Sequence, residues 1–285
     1  MFAGPLNDKP SDDQRVFVRE MEKLGYGTLW YGEGMAQEVF ARGAMYLAAT
    51  ERMTIASGIA SIWARDATAM ANGGRTLAEA WPGRFIMGVG VSHRPAVQAR
   101  GHDYDRPFSA MQAYLEAMAE APYRGPAAPI PPVILAALGP KMVALARQKA
   151  AGAYPYFTTL DHIREVRTAL GLEPFLAVDL PVVLAEDLAG ARAIGDRHLN
   201  FYLRSENYRK NLLRLGWTEA QLEPPGADEL FASIVAYGNL DDIRRLTEAR
   251  FEAGADQVVF NLIGPDPSVL PLRELRALAP IVRGS

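Results

Sequence analysis

Cysteine is absent from the 285 residues. That removes disulfides, thiolate metal sites, iron–sulfur clusters and a cysteine nucleophile, and it fits a reducing, cytoplasmic setting. A basic excess is missing too: 30 Lys and Arg stand against 33 Asp and Glu, a formal net charge of −3. No surplus exists to neutralise a run of phosphates, so nucleic acid is not an expected partner. No apolar stretch approaches the roughly 18 residues of a membrane span, and residues 1–20 lack the basic start and apolar middle of a leader. No membrane partner is expected. The four histidines, His93, His102, His162 and His198, form neither H-x-H nor an i,i+4 pair, so no metal site is expected. G-x-S-x-G and the phosphate-binding P-loop are also missing, which leaves a triad hydrolase without support.

What remains is a globular composition, 49% hydrophobic and 22% charged, which rules out wholesale disorder. Short apolar runs alternate with amphipathic stretches. Strands are expected at 1–4, 28–31, 53–60, 85–89, 132–138, 153–157, 175–184 (interrupted by Pro181) and 256–262. Helices are expected at about 11–24, capped by Ser11-Asp12-Asp13 and ended by Gly25, then at 38–50, 67–80, 108–121, 140–150, 161–170, 187–202, 240–253 and 268–282. Residues 205–235 read as a helical insertion in the C-terminal third. Eight strand–helix units with strands apolar on both faces fit an α/β class fold, a closed (β/α)8 TIM barrel, in a single domain over 1–285. An open dinucleotide-binding sheet would want G-x-G-x-x-G after the first strand, and GPLNDKP (4–10) lacks it.

In such a barrel ligands sit where strands give way to loops. At the fourth strand, GRFIMGVGVSH (83–93), Gly88 and Gly90 either let something flat approach the backbone or serve close packing. His93 lies just beyond, as a solvated residue or an acid/base. Glu33, ending the second strand, is either catalytic or a salt-bridge partner of Arg65. Small residues at 57–61 make room for a ligand or a backbone distortion. Leu138-Gly139-Pro140-Lys141 opens a helix whose N-terminus, with Lys141, suits an anion.

Six segments in order carry a family likeness: LGYGTLWYGEG (24–34), IASGIASIWARD (55–66), GRFIMGVGVSHRP (83–95), GHDYDRP (101–107), LAALGPKM (135–142) and NYRKNLLRLGW (207–217). The chain resembles the luciferase-like flavin/deazaflavin superfamily, in particular its actinobacterial coenzyme F420-dependent oxidoreductases. The resemblance implies a luciferase-like TIM barrel with a non-proline cis peptide at Gly58–Ile59 beneath the cofactor ring. It implies further cofactor contacts at Gly88, Gly90, Leu138, Gly139, Pro140, Lys141, Met142 and Thr158, and a homodimer. The implied reaction is hydride transfer between F420 and a small organic substrate, an alcohol/carbonyl or activated C=C. An FMN-dependent monooxygenase and a non-catalytic F420 or flavin binder are the alternatives. The superfamily's sugar-phosphate dehydrogenases carry a histidine after the acidic residue where this chain has Glu33-Gly34, and a glutamate where it has His93. The proton-handling groups are therefore expected to be His93 and Glu33, with Trp63, Arg65 and His102 at the substrate mouth.

Overall fold

The structure is a computed structural model that describes residues 1–2, 4–35, 37–127 and 129–283. After a 3-10 turn at Gly4–Leu6, the first units are α1 (Ser11–Leu24), β1 (Thr28–Tyr31), α2 (Val39–Ala49), β2 (Thr54–Ser57), β3 (Ala60–Ser61) and α3 (Ala67–Ala80). The middle of the chain forms β4 (Phe85–Gly90), α4 (Arg94–Gln98), α5 (Pro107–Ala119), β5 (Val133–Leu135), α6 (Pro140–Lys149), β6 (Gly152–Ala153) and α7 (Leu160–Leu170). Then come β7 (Phe175–Val183), α8 (Leu188–Leu203), α9 (Glu206–Arg214), α10 (Glu219–Leu222), α11 (Asp228–Ile234), β8 (Ala236–Tyr237), α12 (Leu240–Glu252), β9 (Gln257–Leu262) and α13 (Leu272–Arg283).

Every strand pairing is parallel. The order runs β1-β2-β4-β5-β6-β7, with β3 continuing the β2 edge of β4 and β9 against β7. The first residues close the ring. Met1 is bonded to β1 through Trp30 N–H (2.7 Å) and Thr28 C=O (2.7 Å), while Phe2 N–H donates to Phe260 C=O of β9 (2.7 Å). The expected strand at 1–4 is thus only a bridge at Phe2, and Ala3 lies outside the described residues. The result is the (β/α)8 TIM barrel that the element order implied.

Several boundaries differ from expectation for local reasons. α1 begins at Ser11 after Pro10 with no side-chain cap bond, so Asp12 and Asp13 act through the helix dipole instead. The apolar run 53–60 splits into β2 and β3 at a cis Gly58–Ile59 bond. Pro181 does not interrupt β7. The Val182 carbonyl accepts from Ile263 N–H (2.9 Å), so the missing N–H at 181 falls on the other edge, where β6 is already finished. β8 and α4 were not expected at all. The insertion α9–α11 is helical as expected, and it packs its own apolar cluster around Phe231, Leu199 and Leu212 against the barrel top.

Inside the barrel, Trp30, Tyr154, Ala177 and Val259 share one apolar layer. Above it, the break between β2 and β3 needs space on β4. A Cβ at Gly88 would collide with the Ser57 carbonyl oxygen, and one at Gly90 would stand 2.8 Å from Ile59 Cγ1. Gly88→Ala is therefore expected to lower stability by about 1–3 kcal/mol through overpacking. Gly27→Ala, where no atom lies within 4 Å, should change it by less than about 0.5 kcal/mol. Urea unfolding of the two variants beside the parent checks both.

Candidate functional site

The C-terminal ends of the strands surround a cavity of about 550 Å³. Its floor is Gly32, Glu33, Gly58 and Ile59, and one side is Val91, Ser92 and His93. The next side is Ala136 to Pro140 with Met142, followed by Tyr154, Pro155 and Tyr156. The far side comes from the insertion helix α9, through Asn207, Tyr208, Lys210, Asn211 and Arg214. Of the expected residues, Glu33, Gly58, Ile59, His93, Leu138, Gly139, Pro140 and Met142 meet here. Gly88, Gly90, Lys141, Thr158, Trp63, Arg65 and His102 do not line the cavity.

Glu33 is the best-anchored residue of the floor. Its N–H donates to Ile59 C=O (3.0 Å). Its Oε2 accepts from Ser61 N–H (2.8 Å) and Arg65 Nη1 (2.9 Å), and its Oε1 accepts from Arg65 Nη2. The carboxylate side chain is 2% exposed. Of the two readings open to Glu33, the salt bridge to Arg65 is present, and both carboxylate oxygens are engaged. Arg65 is likewise held, by Glu33 and by Glu38 (2.9 Å). Trp63 Nε1 donates to Val91 C=O (2.9 Å) and its ring lies 6.0 Å from that of the exposed His102, so this pair braces the outer rim.

His93 Nδ1 meets Asn207 Oδ1 at 3.1 Å, and its ring packs on Tyr208 at 5.4 Å. Burial lowers its pKa and the Asn207 contact offsets part of that, so the imidazole is uncharged at neutral pH. His162, which the motif search set aside, ties the two halves of the cavity together. Its Nε2–H donates to Leu138 C=O (2.9 Å), and its Nδ1 accepts from Asn211 Nδ2 (3.5 Å). Burial lowers its pKa as well, which suits that neutral tautomer. Lys141 is exposed and outside the wall. The cations that share the cavity with the α6 N-terminus are instead Lys210 and Arg214. The spacing of 207, 211 and 214 on one helical face was readable, but nothing in the sequence says that α9 folds back over the mouth.

Two features suit a flat heterocycle with an anionic tail. Tyr154 Oη is buried at the wall with no hydrogen-bond partner among the described residues. A Cβ at Gly139 would meet nothing within 4 Å, so the backbone before α6 is bare toward open space. Deeper in, Asp179 on β7 accepts from Phe157 N–H at Oδ1 (2.8 Å), holding the loop that carries Tyr156. Thr158 Oγ1 and Asp179 Oδ2 are buried without hydrogen-bond partners among the described residues.

A model of the luciferase-like monooxygenase family matches residues 3–257. A Mycobacterium tuberculosis protein with the provisional name of coenzyme F420-dependent oxidoreductase is 24% identical, over 90% of this chain and 92% of its own. Three solved structures share the fold at low identity. The coenzyme F420-dependent tetrahydromethanopterin reductase of Methanopyrus kandleri has 16% identity and a TM-score of 0.78, over 100% of this chain and 97% of the other. An F420-dependent secondary alcohol dehydrogenase bound to an F420–acetone adduct has 14% and 0.75, over 98% and 97%. The FMN-bound oxygenating constituent of 3,6-diketocamphane monooxygenase from Pseudomonas putida has 14% and 0.73, over 97% and 93%.

Asp179 generates a pH test. Burial pushes its pKa from 3.8 up to about 7. Between those values the folded chain keeps a proton that the unfolded chain has released, so stability falls as pH rises through that window, by a few kcal/mol. Urea unfolding at pH 5 and pH 8 should show the fall in the parent. Asp179→Asn should largely remove it and be the more stable of the two at pH 8.

Proposed function

Taking as premise that the chain belongs to the luciferase-like monooxygenase family, we propose that it is an F420-dependent oxidoreductase. Its reaction on this reading is hydride transfer between the deazaflavin and a small alcohol/carbonyl or an activated C=C. The observation that carries the reading is the cavity whose floor is the Gly58–Ile59 peptide, with an unpartnered Tyr154 hydroxyl in its wall and two cations, Lys210 and Arg214, at its far side. Coenzyme F420, when bound, supplies two electrons as a hydride at a carbon that reacts poorly with oxygen.

The chain's own residues then have separable tasks. Gly58 and Ile59 offer backbone to the face of the ring, kept in place by Glu33 and Arg65. Tyr154 Oη offers a hydrogen bond to a polar ring atom. Gly139, the α6 N-terminus, Lys210 and Arg214 take the anionic tail. His93, uncharged and oriented by Asn207, accepts the hydroxyl proton when an alcohol is oxidised and returns it when a carbonyl is reduced. An FMN-dependent monooxygenase is the second reading, favoured by the same cationic corner, which also suits a flavin phosphate.

Fluorescence titration with F420 and with FMN separates the two readings, and F420 is expected to bind at least about tenfold more tightly. His93→Asn is expected to leave the F420 affinity unchanged while lowering turnover about 100-fold or more. Because the base form of His93 does the work in alcohol oxidation and its pKa lies below the ordinary 6.5, the rate should be flat near pH 7 and decline only on the acid side. That limb should vanish in His93→Asn. Normal turnover in the variant would remove His93 from the chemistry, and tight binding with no turnover on alcohols, ketones and enones would leave a binding protein.

A further inference from the structure

Two helices clasp each other behind the far side of the cavity. On α7, His162 and Glu165 stand one turn apart, and on α9 so do Asn211 and Arg214. The four side chains meet in register. His162 reaches Asn211, and Glu165 Oε1 accepts from Arg214 Nη1 (2.6 Å). Asn211 and Arg214 line the cavity, whereas His162 and Glu165 stand behind its wall. His162 is fully buried.

A chain of hydrogen bonds runs through this clasp, and its polarity has one solution. It starts at the Leu138 carbonyl, just before α6, which can only accept. His162 Nε2, 2.9 Å away, therefore carries the proton. Nδ1 of the neutral ring is left as the acceptor, and it takes Asn211 Nδ2 (3.5 Å). With its nitrogen turned to His162, the Asn211 amide shows its oxygen to Arg214. That Oδ1 accepts from Nε (3.2 Å) and from Nη2 (2.9 Å). A backbone carbonyl on one side of the cavity thus fixes which way an amide faces on the other.

The consequence lies in what Arg214 has left to offer. A guanidinium carries five N–H groups. Two are taken by Asn211 and one by Glu165, so two remain for a guest in the cavity. An arginine already held on two sides loses less rotamer freedom when a ligand arrives. Of the two anchors, Glu165 is 40% exposed, and an ion pair in water is weak. Asn211 is 7% exposed and is the firmer one. Its amide keeps this orientation because His162 stands behind it.

We infer that His162 is the positioning residue of the tail corner: through Asn211 it aims Arg214 at the anionic tail, so the cavity prefers the tail-bearing form of its heterocycle to the tail-free form. This rests on the reading of the cavity as the site of a heterocycle with an anionic tail. His162 itself stays outside the cavity and takes no part in the chemistry.

The test compares, by fluorescence titration, F420 with its phosphate-free deazaflavin core and FMN with riboflavin. In His162→Leu, for whichever pair binds, the Kd of the tail-bearing member is expected to rise about tenfold or more while that of the tail-free member stays within about twofold. Arg214→Met should give the same pattern. Adding His162→Leu to it should raise the Kd less than about twofold further, because residues that act through one contact are not additive. Asn211→Leu cuts the chain one link further on and should match His162→Leu, so one of the two that folds is enough. A residue that merely filled space would weaken both members of a pair alike and add its loss to that of Arg214→Met. Equal losses, additive losses or an unchanged Kd in a folded variant overturns the assignment. If the parent binds neither F420 nor FMN, the redox reading falls, and calorimetry with inorganic pyrophosphate decides the relay. A pyrophosphate Kd raised about tenfold in either variant sustains it, and an unchanged Kd or no binding to the parent overturns it.

Discussion

The floor of the site depends on one buried ion pair. Glu33 and Arg65 come from loops after different strands, yet both side chains are nearly closed to solvent. A pair like this contributes little net stability, because removing two charges from water costs about as much as their attraction returns. Its effect is on geometry. Glu33 binds Ile59 through its backbone and Ser61 through its carboxylate, so it grips the bulge from both ends. Removing either charge would leave the other buried and unpaired. The backbone under the cavity is therefore fixed by electrostatics on one side and by the bare β4 glycines on the other.

The same separation of charge from chemistry extends upward. Burial lowers the pKa of His93, His162 and His198 and raises that of Tyr154, Tyr156 and Tyr208. Imidazoles and phenols alike are uncharged at neutral pH. They carry no charge until a proton moves, and a proton taken up by an imidazole makes that ring the charged group. Among the described residues that line this cavity, Lys210 and Arg214 on the insertion carry the positive charge, each beside a carboxylate, Lys210 with Glu206 (2.5 Å) and Arg214 with Glu165 (2.6 Å). On the proposed reading, a low-dielectric mouth with cations at one side holds a cofactor's tail and keeps the reacting end dry.

Much of this was legible in the chain. Helix α3 was bounded correctly at Ala67 and Ala80 from composition alone, and the structure adds the cap, Asp66 Oδ1 accepting from Ala69 N–H (2.8 Å). The Glu33–Arg65 pair was visible as one of two options, since both fall at strand ends on neighbouring units. The cis Gly58–Ile59 position followed from family likeness, not from periodicity. What could not be read was tertiary. β8 is two residues long and leaves no pattern. Gly88 and Gly90 advertise bare backbone, but not whether a ligand or a neighbouring strand occupies the space; here it is Ser57 and Ile59. Lys141 sits at the right helix end and still lies outside the cavity wall, while the working cations arrive from a helix some 70 residues further along.

The aromatic wall at the mouth connects these points. Phe2 belongs to the segment that closes the barrel, Tyr156 to the loop held by Asp179, and Phe201 and Tyr202 to α8. Barrel closure, a buried carboxyl and the helix leading into the insertion thus converge on one partition. Tyr156 and Tyr202 pack at 5.1 Å, and Tyr202 and Tyr208 at 5.2 Å edge to face, a geometry that ring quadrupoles favour. Such a wall separates the cavity over the bulge from a second one behind it, bounded by the end of β9 and the loop that follows. Ile263, just past β9, packs in the same apolar cluster as Tyr208 and Leu212 of α9, so the two sides of the mouth are joined by packing. Tyr156 is where the two cavities meet: it lines both, and its hydroxyl accepts from Asn261 Nδ2 of β9 (2.7 Å), so the partition is fixed to the barrel itself.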